Sequence, residues 1–153
     1  MIVDERITSY IHSLDQGNTQ LLTQIEREAR ADLVPIIRQE TASFLKVLLR
    51  MQRPKNILEV GTAVGFSALF MSEYAPADCR ITTIEKYEKR IPIARENFRR
   101  AGKEDVITLL EGDATEILHS LTGSYDLIFM DAAKGQYIHF FDDVLRLLAE
   151  GGI

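Results

Sequence analysis

The sequence has one cysteine, Cys79, and no tryptophan among its 153 residues. A lone thiol forms neither an internal disulfide nor a cysteine-based zinc site, so both are excluded. No apolar run approaches the roughly 20 residues that a membrane-spanning helix needs. The first residues also lack the basic start and apolar core of a signal peptide. We therefore expect a cytoplasmic protein without a membrane partner.

Positive charge is in the minority, since 18 lysines and arginines stand against 23 aspartates and glutamates, for a net charge of −5. This balance excludes a surface coated in positive charge for general binding to polyanions, although it allows a local basic patch. Hydrophobic residues make up 46% and charged residues 27%, which is typical of a folded globular protein. The length favours a single domain over residues 1–153.

Residues 1–53 are predicted to be helical because their apolar residues recur at helical spacing. Gly17 and Pro35 interrupt the pattern and divide it into three helices. The apolar positions of these helices are Ile7, Tyr10, Ile11 and Leu14; Leu21, Leu22, Ile25 and Ala29; and Phe44, Leu45, Leu48 and Leu49. We expect these amphipathic helices to cover a sheet or to pair with a second subunit.

Residues 54–153 alternate between short apolar segments and helix-length stretches, one of which runs from Tyr87 to Arg100. Nearly continuous apolarity is typical of strands buried on both faces. The apolar segments are 56–60, 80–85, 106–110 and 125–130. Strand–helix alternation predicts an α/β fold with a doubly wound, mostly parallel sheet. Ligands bind such sheets at the carboxyl ends of the strands, so the residues there are candidates for a site.

The first strand ends in a glycine turn that contains Gly61 and Gly65. Gly61 permits a tight turn and a close approach of the backbone, and Gly65 lets the following helix pack closely. The G-x-x-x-G spacing differs from the glycine pattern that cradles the pyrophosphate of a dinucleotide. Glu59 is an acid inside an apolar strand and needs a hydrogen-bonding or cationic partner if it is buried. The ammonium group of a ligand would serve, and a solvent-facing glutamate beside a glycine turn is the alternative.

The second and third strands also end in acids. Glu85 follows Gly61 at about the spacing at which an acid in this architecture accepts hydrogen bonds from ribose hydroxyls. A strand-end charge beside Lys86 is the alternative. Asp113 is suited to cap the next helix, and it can also accept a hydrogen bond from an adenine amino group.

The fourth strand leads into Asp131, which is well placed to bind a hard metal ion. Lys134 follows closely and is suited to deprotonate a substrate hydroxyl near that ion. An ordinary Asp–Lys turn is the alternative. Taken together, the acids and the glycine turn fit a cofactor with a nucleoside and an ammonium group, such as S-adenosylmethionine, better than they fit NAD.

Three segments of the chain resemble the cation-dependent O-methyltransferases, which include catechol and caffeoyl-CoA methyltransferases. They are residues 58–68, 112–114 and 129–137. The run Asp-Ala-Ala-Lys-Gly-Gln-Tyr at 131–137 is most similar to the bacterial branch that methylates 5-hydroxyuridine in tRNA. The resemblance implies a Rossmann-like methyltransferase fold, S-adenosylmethionine and Mg²⁺ as cofactors, and a homodimer.

The resemblance also implies roles for individual residues. Asp131 would ligate Mg²⁺ and take part in catalysis, and Lys134 would be the catalytic base. The implied cofactor-binding residues are Ile36, Glu59, Gly61, Gly65, Ser67, Glu85, Asp113, Ala114 and Asp131. The family completes its metal site with an Asp-Asn pair after the next strand, which lies beyond Ile153. We therefore expect the C-terminal strands to be missing from this sequence and the chain to be an N-terminal fragment.

The same resemblance predicts which substrate accepts the methyl group. We expect the wobble 5-hydroxyuridine of tRNA, with a small catechol-like or CoA-linked phenol as the alternative, because each presents a vicinal oxygen pair. A basic stretch could meet an RNA backbone, but the glutamates interleaved with it favour a solvated helix face. The basic stretch comprises Lys86, Lys89, Arg90, Arg95, Arg99, Arg100 and Lys103. Alternatives of other classes are a non-catalytic module that binds S-adenosylmethionine and an NAD-dependent oxidoreductase.

Overall fold

The structure, a computed structural model, describes residues 4–14 and 16–153, but not the side chain of Lys134. The elements are α1 (Glu5–Ser13), α2 (Gln20–Ala31), α3 (Gln39–Gln52), β1 (Asn56–Val60), α4 (Phe66–Tyr74), β2 (Arg80–Glu85), α5 (Ile91–Arg100), β3 (Ile107–Glu111), α6 (Ala114–Ser120), β4 (Leu127–Met130), a 3₁₀ turn (Lys134–Gln136) and α7 (Tyr137–Leu147). Within these described residues, no helix has the length and apolarity to cross a membrane.

The strands form a parallel sheet, which confirms the predicted α/β architecture. In the described part of the chain the strand order is β3-β2-β1-β4. Val60 at the end of β1 is in register with Ile84 of β2 and Met130 of β4, so these strands end at one edge of the sheet. The chain moves outward from β1 to β3 and then returns to the other side of β1. This reversal opens a crevice between β1 and β4, where parallel sheets bind their ligands.

The strand boundaries follow the sequence prediction closely. The first two strands have the predicted limits, and the third begins one residue later than predicted, at Ile107. The fourth was predicted from Tyr125 but begins at Leu127. Tyr125 forms only an isolated bridge, with Leu148 after α7.

The helix predicted from Tyr87 begins instead at Ile91. The backbone N–H groups of Lys86 and Tyr87 donate to the carboxylate of Glu85, which turns the chain before the helix can start. Pro92 occupies the first turn of α5, where its missing N–H breaks no helical hydrogen bond. The prediction was therefore correct for the element and wrong for its first residues.

Apolar side chains pack on both faces of the sheet. β1 and β2 are buried almost throughout, as predicted, whereas β3 and β4 have one buried residue each, Ile107 and Leu127. Ile57 and Leu49 belong to the core on the side of α2, α3, α4 and α5. Leu58 and Val60 belong to the core on the side of α6 and α7. Because side chains alternate along a strand, Glu59 points to the same side as Ile57, toward α4.

The predicted helix α1 is present, but its apolar stripe is not buried. Among the described residues of α1, none is buried. Tyr10 is 65% exposed, and Leu14 at the end of the helix is 66% exposed. In the described chain, His12 Nε2 of α1 and Glu40 of α3 form a hydrogen-bonded contact at 2.8 Å. Of the two expected uses of the amphipathic helices, covering the sheet is confirmed for α2 and α3, whose Ile25 and Leu49 belong to the core. The stripe of α1 does not cover the sheet among the described residues, and its pairing with a second subunit stays a prediction.

Candidate functional site

A cleft of about 1080 Å³ opens at the carboxyl ends of the strands. Its walls are the segments that follow the four strands, together with the segment before α3. The lining residues from these segments are Pro35–Arg38, Val60–Ala63, Ile84–Tyr87, Gly112–Ala114 and Phe129–Ala133. The structure therefore brings the four predicted strand ends to one cleft.

Most of the predicted site residues line this cleft. Glu59 and Gly65, although both are described, are not among the lining residues. The predicted residues that do line it are Ile36, Gly61, Ser67, Glu85, Asp113, Ala114 and Asp131. The prediction for the Lys134 side chain lies outside the described part of the structure.

Gly61 lies where β1 meets the end of β4. Its φ is +105°, and a Cβ atom there would stand 2.7 Å from the backbone oxygen of Asp131. Its N–H donates to the carbonyl of Ile84 at 3.1 Å, which ties the turn to β2 as well. Glycine is thus required by the neighbouring backbone, and contact of Gly61 with a cofactor stays a prediction.

Gly65 is the N-cap of α4 and adopts a left-handed conformation, with φ of +83°. A Cβ atom there would stand 2.5 Å from the ring of Phe98 on α5. The neighbouring carbonyl of Val64 accepts a hydrogen bond from the buried amide of Asn97 at 2.9 Å. The close neighbour of Gly65 is therefore on α5, whereas the prediction named the following helix, α4, as the element that packs closely. The glycine turn packs against α5.

Glu85 is 9% exposed and lines the cleft. One carboxylate oxygen, Oε2, accepts the N–H of Ala63 at 2.7 Å. The other, Oε1, accepts the N–H groups of Lys86 at 3.0 Å and Tyr87 at 2.9 Å. These bonds fix the carboxylate in place and occupy three of its roughly four lone-pair sites, which leaves about one for a further donor such as a ribose hydroxyl.

Glu59 is fully buried behind Ser67. Its Oε1 accepts the hydroxyl of Ser67, and its Oε2 accepts the hydroxyl of Thr83 at 2.5 Å. The pKa of Glu59 is raised to about 7, mainly by burial. The charges of Asp131 and Glu85 contribute to the rise, and the two hydrogen bonds oppose it. The partners of Glu59 are therefore hydroxyls of the chain itself. Its predicted role toward a cofactor stays a prediction, and that role would act through Ser67.

Asp113 caps α6, as predicted. Its carboxylate accepts the N–H of Thr115 at 2.9 Å and pairs with Lys86 Nζ at 3.3 Å. The hydrogen bonds from Thr115 and the contact with Lys86 hold the pKa of Asp113 below its usual value. Ala114 follows as the first residue of α6 and lines the same wall. The contact of both residues with adenine stays a prediction.

Asp131 lies exposed at the rim, directly after β4. Its N–H donates to the carbonyl of Val60 at 2.9 Å. The hydroxyl of Tyr137 donates to the carbonyl of Met130 at 3.0 Å, which ties the start of α7 to the end of β4. Within the described residues, no group of three or more histidines, cysteines or acids could hold a metal ion. The described residues thus do not form a complete metal site, and the role of Asp131 as a ligand of Mg²⁺ stays a prediction.

Sequence reasoning missed several residues that shape the cleft. Thr83 is one of them. The sequence feature that could have revealed it is a hydroxyl side chain within an otherwise apolar strand. The register places Thr83 directly opposite Glu59, which only the folded sheet reveals. Arg38 and Arg90 are two more, both lining the cleft. The guanidinium of Arg90 lies 5.4 Å from the ring centre of Tyr87.

The basic stretch along α5 is largely neutralised by acidic neighbours. Among the described residues, four of its cations form ion pairs, but only Glu96 among their partners is one of the interleaved glutamates, and the other three partners come from other parts of the fold. The pairs are Lys86–Asp113, Arg95–Glu111, Arg99–Glu96 and Arg100–Glu28. A broad electropositive surface is therefore not formed by these four side chains.

The sequence of the chain is similar to those of several known proteins. A family model described as O-methyltransferase matches residues 11–153. A catechol O-methyltransferase from Niastella koreensis is 33% identical over 96% of this chain and 69% of its own length. A caffeoyl-CoA O-methyltransferase from Populus kitakamiensis is 33% identical over 72% of this chain and 49% of its own length. The matches span about half to two-thirds of the length of these relatives.

The fold has a close structural counterpart. A methyltransferase from Podospora anserina, crystallised with S-adenosylhomocysteine bound, superimposes with a TM-score of 0.90 at 31% identity. The match covers 97% of this chain and 66% of that protein. The predicted methyltransferase fold is thereby confirmed.

Proposed function

This chain belongs to the O-methyltransferase family, and on that premise we propose that it binds S-adenosylmethionine in the cleft for transfer of the methyl group to a hydroxyl oxygen. The observation that carries the proposal is the convergence of Gly61, Glu85, Asp113 and Asp131 on one cleft. Acids at successive strand ends, with no dinucleotide glycine loop, suit a nucleoside without a pyrophosphate.

The described residues fit the parts of such a cofactor. Glu85 is held as an acceptor by three backbone N–H groups, and an acceptor is what a pair of ribose hydroxyls requires. Asp113 and Ala114 form the adjoining wall, which we assign to adenine. Ser67 and Ile36 lie on the remaining walls, which we assign to the methionine part.

Methyl transfer from a sulfonium breaks an S–C bond and forms an O–C bond, and the proton of the acceptor hydroxyl must leave. The cofactor supplies the electrophilic methyl group, and the chain must orient the acceptor in line with it. We propose that Lys134 is the base that accepts this proton. Lys134 is the first residue of the 3₁₀ turn after β4. Asp131 would provide one oxygen ligand to Mg²⁺, which could polarise the acceptor oxygens.

A small catechol-like or CoA-linked phenol is the acceptor that we favour. The named relatives support it, since they are a catechol and a caffeoyl-CoA O-methyltransferase. The ion pairs along α5 support it as well, because paired cations offer less to an RNA backbone.

The wobble 5-hydroxyuridine of tRNA is the second candidate. The resemblance of the run at 131–137 supports it. So do two cations at the cleft, because Arg38 and Arg90 line it and could meet phosphates.

A parallel assay distinguishes these candidates. The chain is offered labelled S-adenosylmethionine with catechol, caffeoyl-CoA or tRNA that contains 5-hydroxyuridine, each with Mg²⁺ or with EDTA. We expect Mg²⁺-dependent methylation of a phenol. Methylation of tRNA alone would favour the second candidate, and failure to bind S-adenosylmethionine would contradict the proposal as a whole.

We also propose that the chain forms a homodimer through the open face of α1 and α3. The support is the exposure of its apolar side chains, including Tyr10, Leu14 and Phe44, the last of which is 63% exposed. Sedimentation of the wild type against Tyr10→Glu tests this. A dimer that Tyr10→Glu dissociates is expected, and a monomeric wild type would contradict it.

A further inference from the structure

Six residues, 131–136, connect the end of β4 to the start of α7, and we call them the rim loop. Apart from Ala132, the described residues of this loop are exposed. The members that line the cleft are Asp131, Ala132, Ala133 and Gln136. The proposed function assigns Mg²⁺ binding to Asp131 and proton acceptance to Lys134. The placement of the rim loop therefore decides where these two residues stand relative to a bound cofactor.

The rim loop has little support of its own. It contains a 3₁₀ turn, in which the N–H of Gln136 donates to the carbonyl of Ala133 at 2.9 Å. A Cβ atom on Gly135 would meet no described atom within 4 Å, so at this point the middle of the loop is not packed against another element. The placement of the loop is therefore set mainly at its two ends.

The first end is fixed to β1 through the backbone of Asp131. Its N–H donates to the carbonyl of Val60 at 2.9 Å. Its carbonyl oxygen lies against Gly61, at 2.7 Å from the position of a Cβ atom there. Both contacts are made by backbone atoms, so they hold this end whatever the side chain of Asp131 binds.

The second end is fixed by Tyr137, the first residue of α7. Its hydroxyl donates to the carbonyl of Met130, the last residue of β4, at 3.0 Å. This bond joins the residue before the rim loop to the residue after it, and so closes the loop. Burial, and after it the charge of Asp131, raises the pKa of Tyr137 above its usual value. The hydroxyl therefore keeps its hydrogen at neutral pH and remains a donor.

The body of α7 does not depend on this bond. Phe140, Val144 and Leu147 are buried in the core on the side of α6 and α7, and they hold the helix in place. Loss of the Tyr137 hydroxyl should therefore leave α7 docked and release only its first turn together with the rim loop. Such a small displacement matters for an in-line transfer, because a misplacement of about 1 Å can cost about a hundredfold in rate.

We propose that Tyr137 is a positioning residue whose hydroxyl closes the rim loop and thereby holds Asp131 and Lys134 in place for methyl transfer. This inference rests on the proposed function, which gives Tyr137 no role. It predicts that the hydroxyl affects the transfer step and leaves the affinity for the cofactor almost unchanged. The ribose and adenine walls of the cleft belong to β2 and β3, which Tyr137 does not contact through this bond.

Hydrogen exchange, followed by mass spectrometry, tests the structural half of the proposal. Tyr137→Phe keeps the ring and its packing but removes the donor. We expect the amides of residues 131–136 to exchange about threefold to tenfold faster in the variant, which corresponds to the loss of one hydrogen bond. The amides of α6, which packs against α7 away from the loop, should exchange at the wild-type rate.

Kinetics and calorimetry test the functional half. With the acceptor that the parallel assay identifies, kcat of Tyr137→Phe should fall about tenfold or more. The affinity for S-adenosylhomocysteine should change less than about twofold. A general loss of structure would lower both quantities, so the split between them separates positioning from a merely structural role.

Tyr125→Phe is the matched control. Tyr125 belongs to the same core as the ring of Tyr137, but it precedes β4 and so lies at the opposite end of that strand from the rim loop. The variant loses one tyrosine hydroxyl, as Tyr137→Phe does. We expect it to leave both the exchange of residues 131–136 and kcat unchanged.

The outcomes are distinct. Unchanged exchange and kcat in Tyr137→Phe, or equal losses of kcat and cofactor affinity, would overturn the inference and leave the proposed function standing. A variant that does not fold, as judged by circular dichroism, would also overturn it, because the hydroxyl would then serve the fold as a whole. A wild-type chain that neither binds S-adenosylhomocysteine nor methylates an acceptor would contradict the proposed function, and hydrogen exchange would still decide whether Tyr137 holds the rim loop.

Discussion

The backbone oxygen of Asp131 lies 2.7 Å from the position that a Cβ atom on Gly61 would occupy. The end of β4 and the glycine turn after β1 are thus packed backbone to backbone at the edge where the cleft opens. A side chain at position 61 would force these two walls apart.

Gly61→Ala is therefore expected to destabilise the chain by about 1–3 kcal/mol, from backbone strain together with the steric overlap. It should also weaken binding of S-adenosylhomocysteine, because the cleft wall moves. Urea unfolding and calorimetry measure the two effects. Gly123→Ala is the matched control, since Gly123 has φ of +97° but no described atom within 4 Å of the Cβ position. Similar losses of stability in both variants would show that the backbone strain of a positive φ, and not the overlap with Asp131, is responsible.

Glu85→Gln should weaken binding of S-adenosylhomocysteine about tenfold or more. The amide has one acceptor oxygen in place of two, so it cannot accept the three N–H groups together with a ribose hydroxyl. Calorimetry measures the loss, and the exposed Glu88→Gln provides a control for the change of charge. Unchanged affinity in Glu85→Gln would remove this residue from the site.

Glu59 should make stability depend on pH. Its pKa is raised by burial from an ordinary value of 4.5 to about 7 in the folded chain. Its stabilising contribution is fully present below pH 4.5 and is lost as the pH rises through about 7, because the folded state holds the proton more tightly.

Glu59→Gln lacks this titration. The free energy of unfolding of the wild type, relative to the variant, should therefore fall between pH 5 and pH 8, by up to roughly 3 kcal/mol. Urea unfolding of both proteins at each pH measures the difference. A difference that stays constant over this range would show that Glu59 has an ordinary pKa.

Mg²⁺ should bind the chain weakly in the absence of substrate, because the described residues contain no group of three or more ligands that could hold it. We expect the weak binding to disappear in Asp131→Asn and to persist in Asp142→Asn, an exposed acid on α7. Titration calorimetry gives the affinities. Tight binding of Mg²⁺ that survives Asp131→Asn would place the metal elsewhere.

The local pattern of the sequence was sufficient to predict the sheet. Continuous apolarity located Asn56–Val60 and Arg80–Glu85 with their observed limits, since buried parallel strands leave a strong local signal. The start of α5 was predicted too early because the hydrogen bonds from Lys86 and Tyr87 to Glu85 arise only in the folded turn.

The partners of buried groups could not be predicted in this way. Glu59 meets Thr83 through strand register, and Gly65 meets Phe98 through helix packing. Both contacts join residues far apart in the sequence, so no local pattern encodes them. The exposed stripe of α1 was also beyond prediction, because periodicity shows that a face is apolar but not what covers it.

A crystal structure of the chain with S-adenosylhomocysteine tests the central claim most directly. The account predicts the ribose hydroxyls on the carboxylate of Glu85, adenine beside Asp113 and Ala114, and the carboxylate of the homocysteine part on the side of Ser67. A ligand bound outside the cleft, or within it with its ribose away from Glu85, would contradict the account.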